Sequence, residues 1–242
     1  MLVGRFTAPY NDGYLSNLGE GIMTFVFVSG GFGGSWQWKD VSKQLQDYGH
    51  EVYRLTLSGL ADRQHISHEG IGLDTHIQDV LSTFEFERLK DVILVGFSYG
   101  GIIITAVADR IPERLRAMVY IDAIVPKNGD SVESLLPQTF SHFQEVAVDG
   151  WKVEVNGNTQ PLKTMKDSVA IVGSENFCRI RRAYILAAQK PDGEIKDVLQ
   201  SFASEAQKEG WLYYEIPTNH DGVYALMPEM TGDLLNQISQ QV

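Results

Sequence analysis

The run DVILVGF (91–97) is apolar on consecutive positions rather than alternate ones. Side chains of a strand point alternately to opposite faces, so such a run has to be covered on both sides. A strand buried on both faces belongs to the interior of a parallel sheet, and this one is expected to be central. Similar segments recur as TFVFVSG (24–30), EVYRLTL (51–57), AMVYIDAIV (117–125), RRAYILAAQ (181–189) and WLYYEIP (211–217). Between them lie stretches with helical spacing. In THIQDVLSTFEFERL (75–89), Ile77, Val80, Leu81 and Phe84 form one face, while VSKQLQDYG (41–49) and GIIITAVADRIPERL (101–115) read as further helices. Strands alternating with amphipathic helices predict an α/β fold: a mostly parallel central sheet with helices on both faces.

At 242 residues the chain fits one large core with an insertion better than two cores. The alternation stops between residues 126 and 179, and these about 50 residues are too many for a simple loop. Within them WKVEVNGNTQ alternates apolar and polar positions around Asn156-Gly157, a pair that supplies positive φ at both centres of a tight hairpin turn. The segment 126–179 is therefore read as a cap inserted between two core strands. Residues 1–22 are rich in turn formers and precede the first strand, so they are read as an N-terminal extension to a domain spanning 23–242, with Met23 as the functional start.

Several function classes are disfavoured. A net charge of −11 repels phosphate backbones and anionic lipid surfaces, so neither nucleic acid nor a membrane is an expected partner. No apolar run reaches the ~20 residues of a membrane span, and a basic segment followed by an apolar one is missing near residue 1, which points to a cytoplasmic protein. The single cysteine, Cys178, can make no internal disulfide and is expected to be a buried or half-buried small hydrophobe. His65 and His68 could begin a metal site, but no third ligand accompanies them at suitable spacing, so no metal is expected. Ser29-Gly30-Gly31-Phe32-Gly33-Gly34 is not a dinucleotide loop, since Trp36 stands where G-x-G-x-x-G needs its last glycine.

The chemistry concentrates at Gly96-Phe97-Ser98-Tyr99-Gly100, between the buried strand and the helix that follows. A serine on so sharp a turn has close neighbours, which is why the positions two before and two after it must be small. Its hydroxyl is then exposed at the C-terminal sheet edge, with the next backbone N–H and the helix N-terminus facing a developing oxyanion. Such a serine needs a histidine. His50, His65, His68, His76 and His142 all precede the last two core strands, whereas His220 follows WLYYEIP in the loop TNHDG and is the expected base. Two carboxylates satisfy the order serine, acid, histidine. Asp192 lies in a loop after RRAYILAAQ from which it could swing towards His220, and is preferred; Asp122, inside VYIDAIV, is the alternative. The glycines after Ser29 let the main chain approach a ligand closely and aim N–H groups at an oxyanion.

These segments resemble the α/β-hydrolase superfamily, in the esterase-like branch that includes plant methylesterases and hydroxynitrile lyases. FVFVSGGFGGSWQW, LTLSGLADRQH, GLDTHIQDV, VGFSYGG, YIDAIVPKNGDS and NHDGVYALMPE carry the likeness, from about Thr24 to the C-terminus. The resemblance implies an α/β-hydrolase fold with Ser98 as nucleophile, His220 as base, Asp192 as acid, and the Gly31 and Tyr99 N–H groups as oxyanion hole. It implies no cofactor. The family usually has His-Gly where this chain has Ser29-Gly30, a shorter acid loop than AAQKPDGE and, in the lyases, a threonine at the position of Gly30. The expected activity is hydrolysis of a small, mostly apolar carboxylic ester or thioester through a Ser98 acyl-enzyme. The alternatives are hydroxynitrile-lyase-like or C–C-cleaving Ser/His chemistry, or ligand binding with little turnover. The expected partner is a small-molecule substrate, with a second copy of the chain, in a homodimer, as the other candidate. In the cap, Phe140, Phe143, Trp151 and Phe177 are candidates for an apolar pocket roof, and Lys163 and Lys166 are cations that could meet an anionic product.

Overall fold

The computed structural model describes residues 21–242. The expectation of an extension at 1–22, and of Met23 as start, concerns residues of which the first twenty lie outside the described ones.

The chain runs β1 (Thr24–Val28), α1 (Lys39–Asp47), β2 (Glu51–Leu55), α2 (Leu73–Phe86), β3 (Val92–Phe97), α3 (Gly100–Arg110) and β4 (Leu115–Ile121). It then leaves the sheet for α4 (Val132–Leu135), α5 (Pro137–Glu145), the hairpin β5 (Lys152–Val155) and β6 (Asn158–Pro161), α6 (Lys163–Lys166) and α7 (Glu175–Arg179). It returns as β7 (Arg181–Ala187), α8 (Glu194–Lys208), β8 (Leu212–Ile216), α9 (Gly222–Ala225) and α10 (Pro228–Ser239). Six strands pair in the order β2-β1-β3-β4-β7-β8, every pair parallel. This is the parallel sheet expected from the sequence, with β3 interior as its apolar run requires.

The period of two is visible in the packing. Val26, Val28, Leu94, Met118, Tyr120 and Tyr184 face one layer, with Ile77, Val80, Ile103 and Val107 from α2 and α3. Phe25, Phe27, Ile93, Val95, Val119 and Ile121 face the other, with Val41 and Leu45 of α1 and Leu235 and Ile238 of α10. The α3 helix ends earlier than its sequence pattern suggests. Pro112 pushes Ile111 off helical angles (φ −135°, ψ 50°), and Leu115 already starts β4. Asn156 (φ 50°) and Gly157 (φ 77°) make the hairpin turn between β5 and β6.

Because β1 has β2 on one side and β3 on the other, the chain leaves β1 and β3 in opposite directions. A crevice opens between the loops at their C-terminal ends, where ligands of open α/β sheets bind. Ser29–Gly34 follow β1 and Ser98 follows β3, so both candidate segments border this crevice.

Candidate active site

Ser98 sits in the left-handed region (φ 53°), a strained conformation held from several sides. Its N–H donates to the Ile121 carbonyl at 3.3 Å, and its own carbonyl accepts from the Gly101 and Ile124 N–H groups, both at 3.1 Å. The flanking glycines are sterically required. A Cβ on Gly96 would lie 2.9 Å from the Gly100 carbonyl oxygen, and one on Gly100 would lie 2.6 Å from that of Val28. Tyr99 caps the start of α3, and its buried phenol lies 3.0 Å from His76 Nδ1 and 3.3 Å from the Thr164 carbonyl oxygen. His76 Nε2–H donates to the Ser58 carbonyl at 2.9 Å. Burial pushes the His76 pKa down to about 4, so this ring stays neutral at pH 7 and serves as a brace.

His220 stands in the turn after β8, its ring stacked on Phe97 with centroids 4.5 Å apart. Its Nδ1–H donates to Asp122 Oδ2 at 2.6 Å. The preference for Asp192 is therefore corrected: that carboxylate is 96% exposed and paired at 2.5 Å with Lys196, one helical turn on, which holds it below the usual carboxylate range. Asp122 is fully buried at the end of β4, also in the left-handed region (φ 42°). Its Oδ1 accepts from the Ala187 N–H at 3.2 Å and from Lys190 Nζ at 2.5 Å. The loop expected to supply the acid instead supplies this buried cation. Ala188 and Gln189 N–H groups bond to the Ile216 and Thr218 carbonyls, at 2.9 and 2.8 Å, bringing that loop against the approach to His220.

The loop after β1 passes so close to the elbow that a Cβ on Gly30 would meet Phe97 Cδ1 at 2.9 Å and Ser98 Cβ at 3.0 Å. Gly31 and Tyr99 both border the cavity, and among the described residues neither backbone N–H has a partner. The next N–H, of Phe32, is taken: it donates to Gln160 Oε1 at 2.9 Å. Gln160 is fully buried in β6 and anchored in turn by Nε2–H to Thr164 Oγ1 at 2.9 Å. The cap thus braces this loop from above. Neither Gln160 nor Lys190 was singled out from sequence; the only signal was a polar residue at an inward-facing hairpin position and a lysine hard against a buried strand end.

Ser98, His220, Gly31 and Tyr99 share one cavity of about 340 Å³. Its apolar wall includes Ile124, Met165 and Leu199, with the amides of Gln37 and Asn158 as polar points. No hydrogen bond joins Ser98 Oγ to the His220 ring among the described contacts, and such bonds commonly tighten only around substrate. Of the roof candidates only Phe143 borders this cavity, packed edge-on against Phe32 with centroids 5.5 Å apart. Phe140 is buried in the main core, and Phe177 borders a separate hollow beside Trp211. Lys163 is tied to Asp167 at 2.6 Å and Lys166 is exposed; neither borders the cavity. Cys178 is exposed, contrary to expectation, because it lies on the outer side of the short α7 while Phe177 turns inward. His65, in the short 3-10 helix Ala61–Ile66, and His68, in the loop after it, are exposed, and no three His, Cys, Asp or Glu side chains converge on a metal position among the described residues. No described helix is long and apolar enough to cross a membrane.

Comparison with known proteins agrees with this architecture. The family described as "Alpha/beta hydrolase family" matches residues 25–229. A carbendazim hydrolyzing esterase from Nocardioides sp. (strain SG-4G) is 35% identical over 246 residues, covering 89% of this chain and 98% of that protein. An alpha-hydroxynitrile lyase from Arabidopsis thaliana is 32% identical over 105 residues, covering 42% of this chain and 40% of the lyase. Among solved structures, an extracellular alpha/beta-hydrolase from a Paenibacillus species superposes with a TM-score of 0.75 at 18% identity, covering 89% of this chain and 98% of that one. Tomato methylketone synthase I gives 0.77 at 16% identity, covering 91% and 98%. With its sheet, its elbow and a family match over most of its length, the chain belongs to the alpha/beta hydrolase family, in an esterase-like branch of it.

Proposed function

We propose that the protein is a serine hydrolase of small, mostly apolar carboxylic esters or thioesters, with Ser98 as nucleophile, His220 as base and Asp122 as acid. The observation that carries the reading is the 2.6 Å contact between His220 Nδ1 and the buried Asp122 carboxylate, at the rim of the cavity that Ser98 also borders. A carboxylate on Nδ1 fixes the tautomer, leaving Nε2 free to accept a proton. His220 Nε2 takes the Ser98 proton as Oγ attacks the substrate carbonyl, and Asp122 stabilises the imidazolium. The tetrahedral oxyanion accepts from the Gly31 and Tyr99 N–H groups; loss of one such donor typically costs about 10²–10³ in rate. Collapse breaks the ester C–O bond, and His220 returns the proton to the leaving alkoxide. Water then attacks the acyl-enzyme by the same steps, releasing the acid and restoring Ser98.

Hydrolysis is favoured over cyanohydrin lysis by the surroundings of Gly30. A side chain there would press on Phe97 and Ser98, so the polar group that lyases of this branch place at that position has no room here. The relative that covers almost the whole chain carries the name of an esterase, which makes carbendazim the first compound to try. The test is a panel of carbendazim and aryl and alkyl esters of graded acyl size, with rapid quench and intact mass spectrometry. Hydrolysis with an acyl adduct on Ser98, absent in Ser98→Ala, is expected. Turnover that survives Ser98→Ala, or binding of the panel without turnover, overturns the reading.

A further inference from the structure

The most unusual group in the site is not one the mechanism consumes. Lys190 is 4% exposed in its side chain, and its ammonium lies 2.5 Å from both Asp122 Oδ1 and the Ala187 carbonyl oxygen. A buried carboxylate is costly unless paired, and here the pairing is divided between the two oxygens. Oδ1 is held by the Lys190 ammonium and the Ala187 N–H, and Oδ2 is left for His220. With Oδ1 fixed from two directions, the carboxylate cannot rotate away from the ring.

We propose that Lys190 is a positioning residue of this site, which aims Asp122 Oδ2 at His220. The proposal rests on the hydrolase reading given above. Removing the Lys190 donor leaves Oδ1 with the Ala187 N–H alone, so the carboxylate can turn from the ring and His220 is less well placed to activate Ser98.

Few other charges face the pair. Tyr184 of β7 and Tyr213 of β8 feel the Asp122 carboxylate, but burial, as the largest cause in each, pushes both phenols up, so they remain neutral. Tyr224 of α9, pushed up to about 12 by burial first and by Asp221 next, is also neutral. Asp221 adjoins His220 in the cavity wall, and β3 presents only the Phe97 ring. Lys190 is thus the cation in direct contact with Asp122.

The test measures the rate of Ser98 labelling by a fluorophosphonate at one pH, in the full-length protein and in Lys190→Arg, Lys190→Gln and Lys190→Met, with thermal unfolding of each and the rate taken on the folded fraction. Gln keeps a donor to Asp122 Oδ1, and its rate should fall less than about tenfold. Met loses the donor, and its rate should fall by about a hundredfold. Arg should stay within about tenfold of wild type. If Lys190 merely supports the fold, the variants lose thermal stability while folded Met keeps the wild-type rate, and that result overturns the proposal; Lys190→Ala, which also lacks the donor, decides the matter where Met does not fold. Labelling of wild type together with an unchanged rate in the folded donor-less variant defeats the Lys190 role alone. Folded wild type that is not labelled at Ser98 defeats the hydrolase reading and this role with it.

Discussion

Ser98 and Asp122 end the adjacent strands β3 and β4, and both turn into the left-handed region (φ 53° and 42°) as they leave the sheet. The turn at Ser98 is tolerated because Gly96 and Gly100 clear space around it; the turn at Asp122 uses a residue type that tolerates these angles. Gln160 shows how a single side chain can support the same constellation from a distance. Replacing it by leucine strands the Phe32 N–H at a cost of roughly 1–3 kcal/mol and frees the loop that carries Gly31. Gln160→Leu should lower kcat about 10–100-fold with a smaller change in KM, read by steady-state ester hydrolysis; a wild-type kcat would count against the brace. The serine and the histidine were legible in the sequence because their constraints are local or ordinal: small neighbours in one case, the last strand in the other. The acid was not. Asp122 and Asp192 satisfy the same order along the chain, and what separates them is that β4 is neighbour to β7 in the sheet, with Lys190 folded over Asp122 and Lys196 drawing Asp192 out to solvent.

At the scale of elements, α2 and the start of α3 are coupled through His76, which links the Ser58 carbonyl to the Tyr99 phenol. Its folded-state pKa of about 4 lies below the unfolded value of 6.5. Both states are neutral above the unfolded value; as pH falls the unfolded chain takes up the proton first, and stability is lost down to the folded value. Between pH about 7 and about 4.5 this one group should remove roughly 2–3 kcal/mol of stability. Urea unfolding at the two pH values should therefore show a smaller difference in His76→Gln than in wild type, and an equal difference would contradict the assignment. The strands and the long helices were readable because continuous apolar runs and 3.6-residue periodicity report burial directly. The cap was readable only as an interruption with one hairpin turn. Where β6 docks is set by contacts between residues more than a hundred positions apart, such as Phe32 with Gln160, and no local pattern encodes that.

For the whole molecule, the parallel order β2-β1-β3-β4-β7-β8 explains why groups from four separate stretches of chain converge. Gly31 follows β1, Ser98 follows β3, Asp122 follows β4 and His220 follows β8, all at the C-terminal sheet edge, with the cap closing a cavity of about 340 Å³ above them. Bound substrate would lie between an apolar wall and this edge, as expected for a small, mostly apolar ester. Activation of Ser98 through His220 by Asp122 is the central step of the proposed mechanism. The rate of fluorophosphonate labelling, with the site located by mass spectrometry, should be compared in wild type, Asp122→Asn and Asp192→Asn. Labelling on Ser98 that slows by about 10²–10⁴-fold in Asp122→Asn and stays at the wild-type rate in Asp192→Asn is the expected result. Loss of labelling in Asp192→Asn with Asp122→Asn unaffected would contradict it.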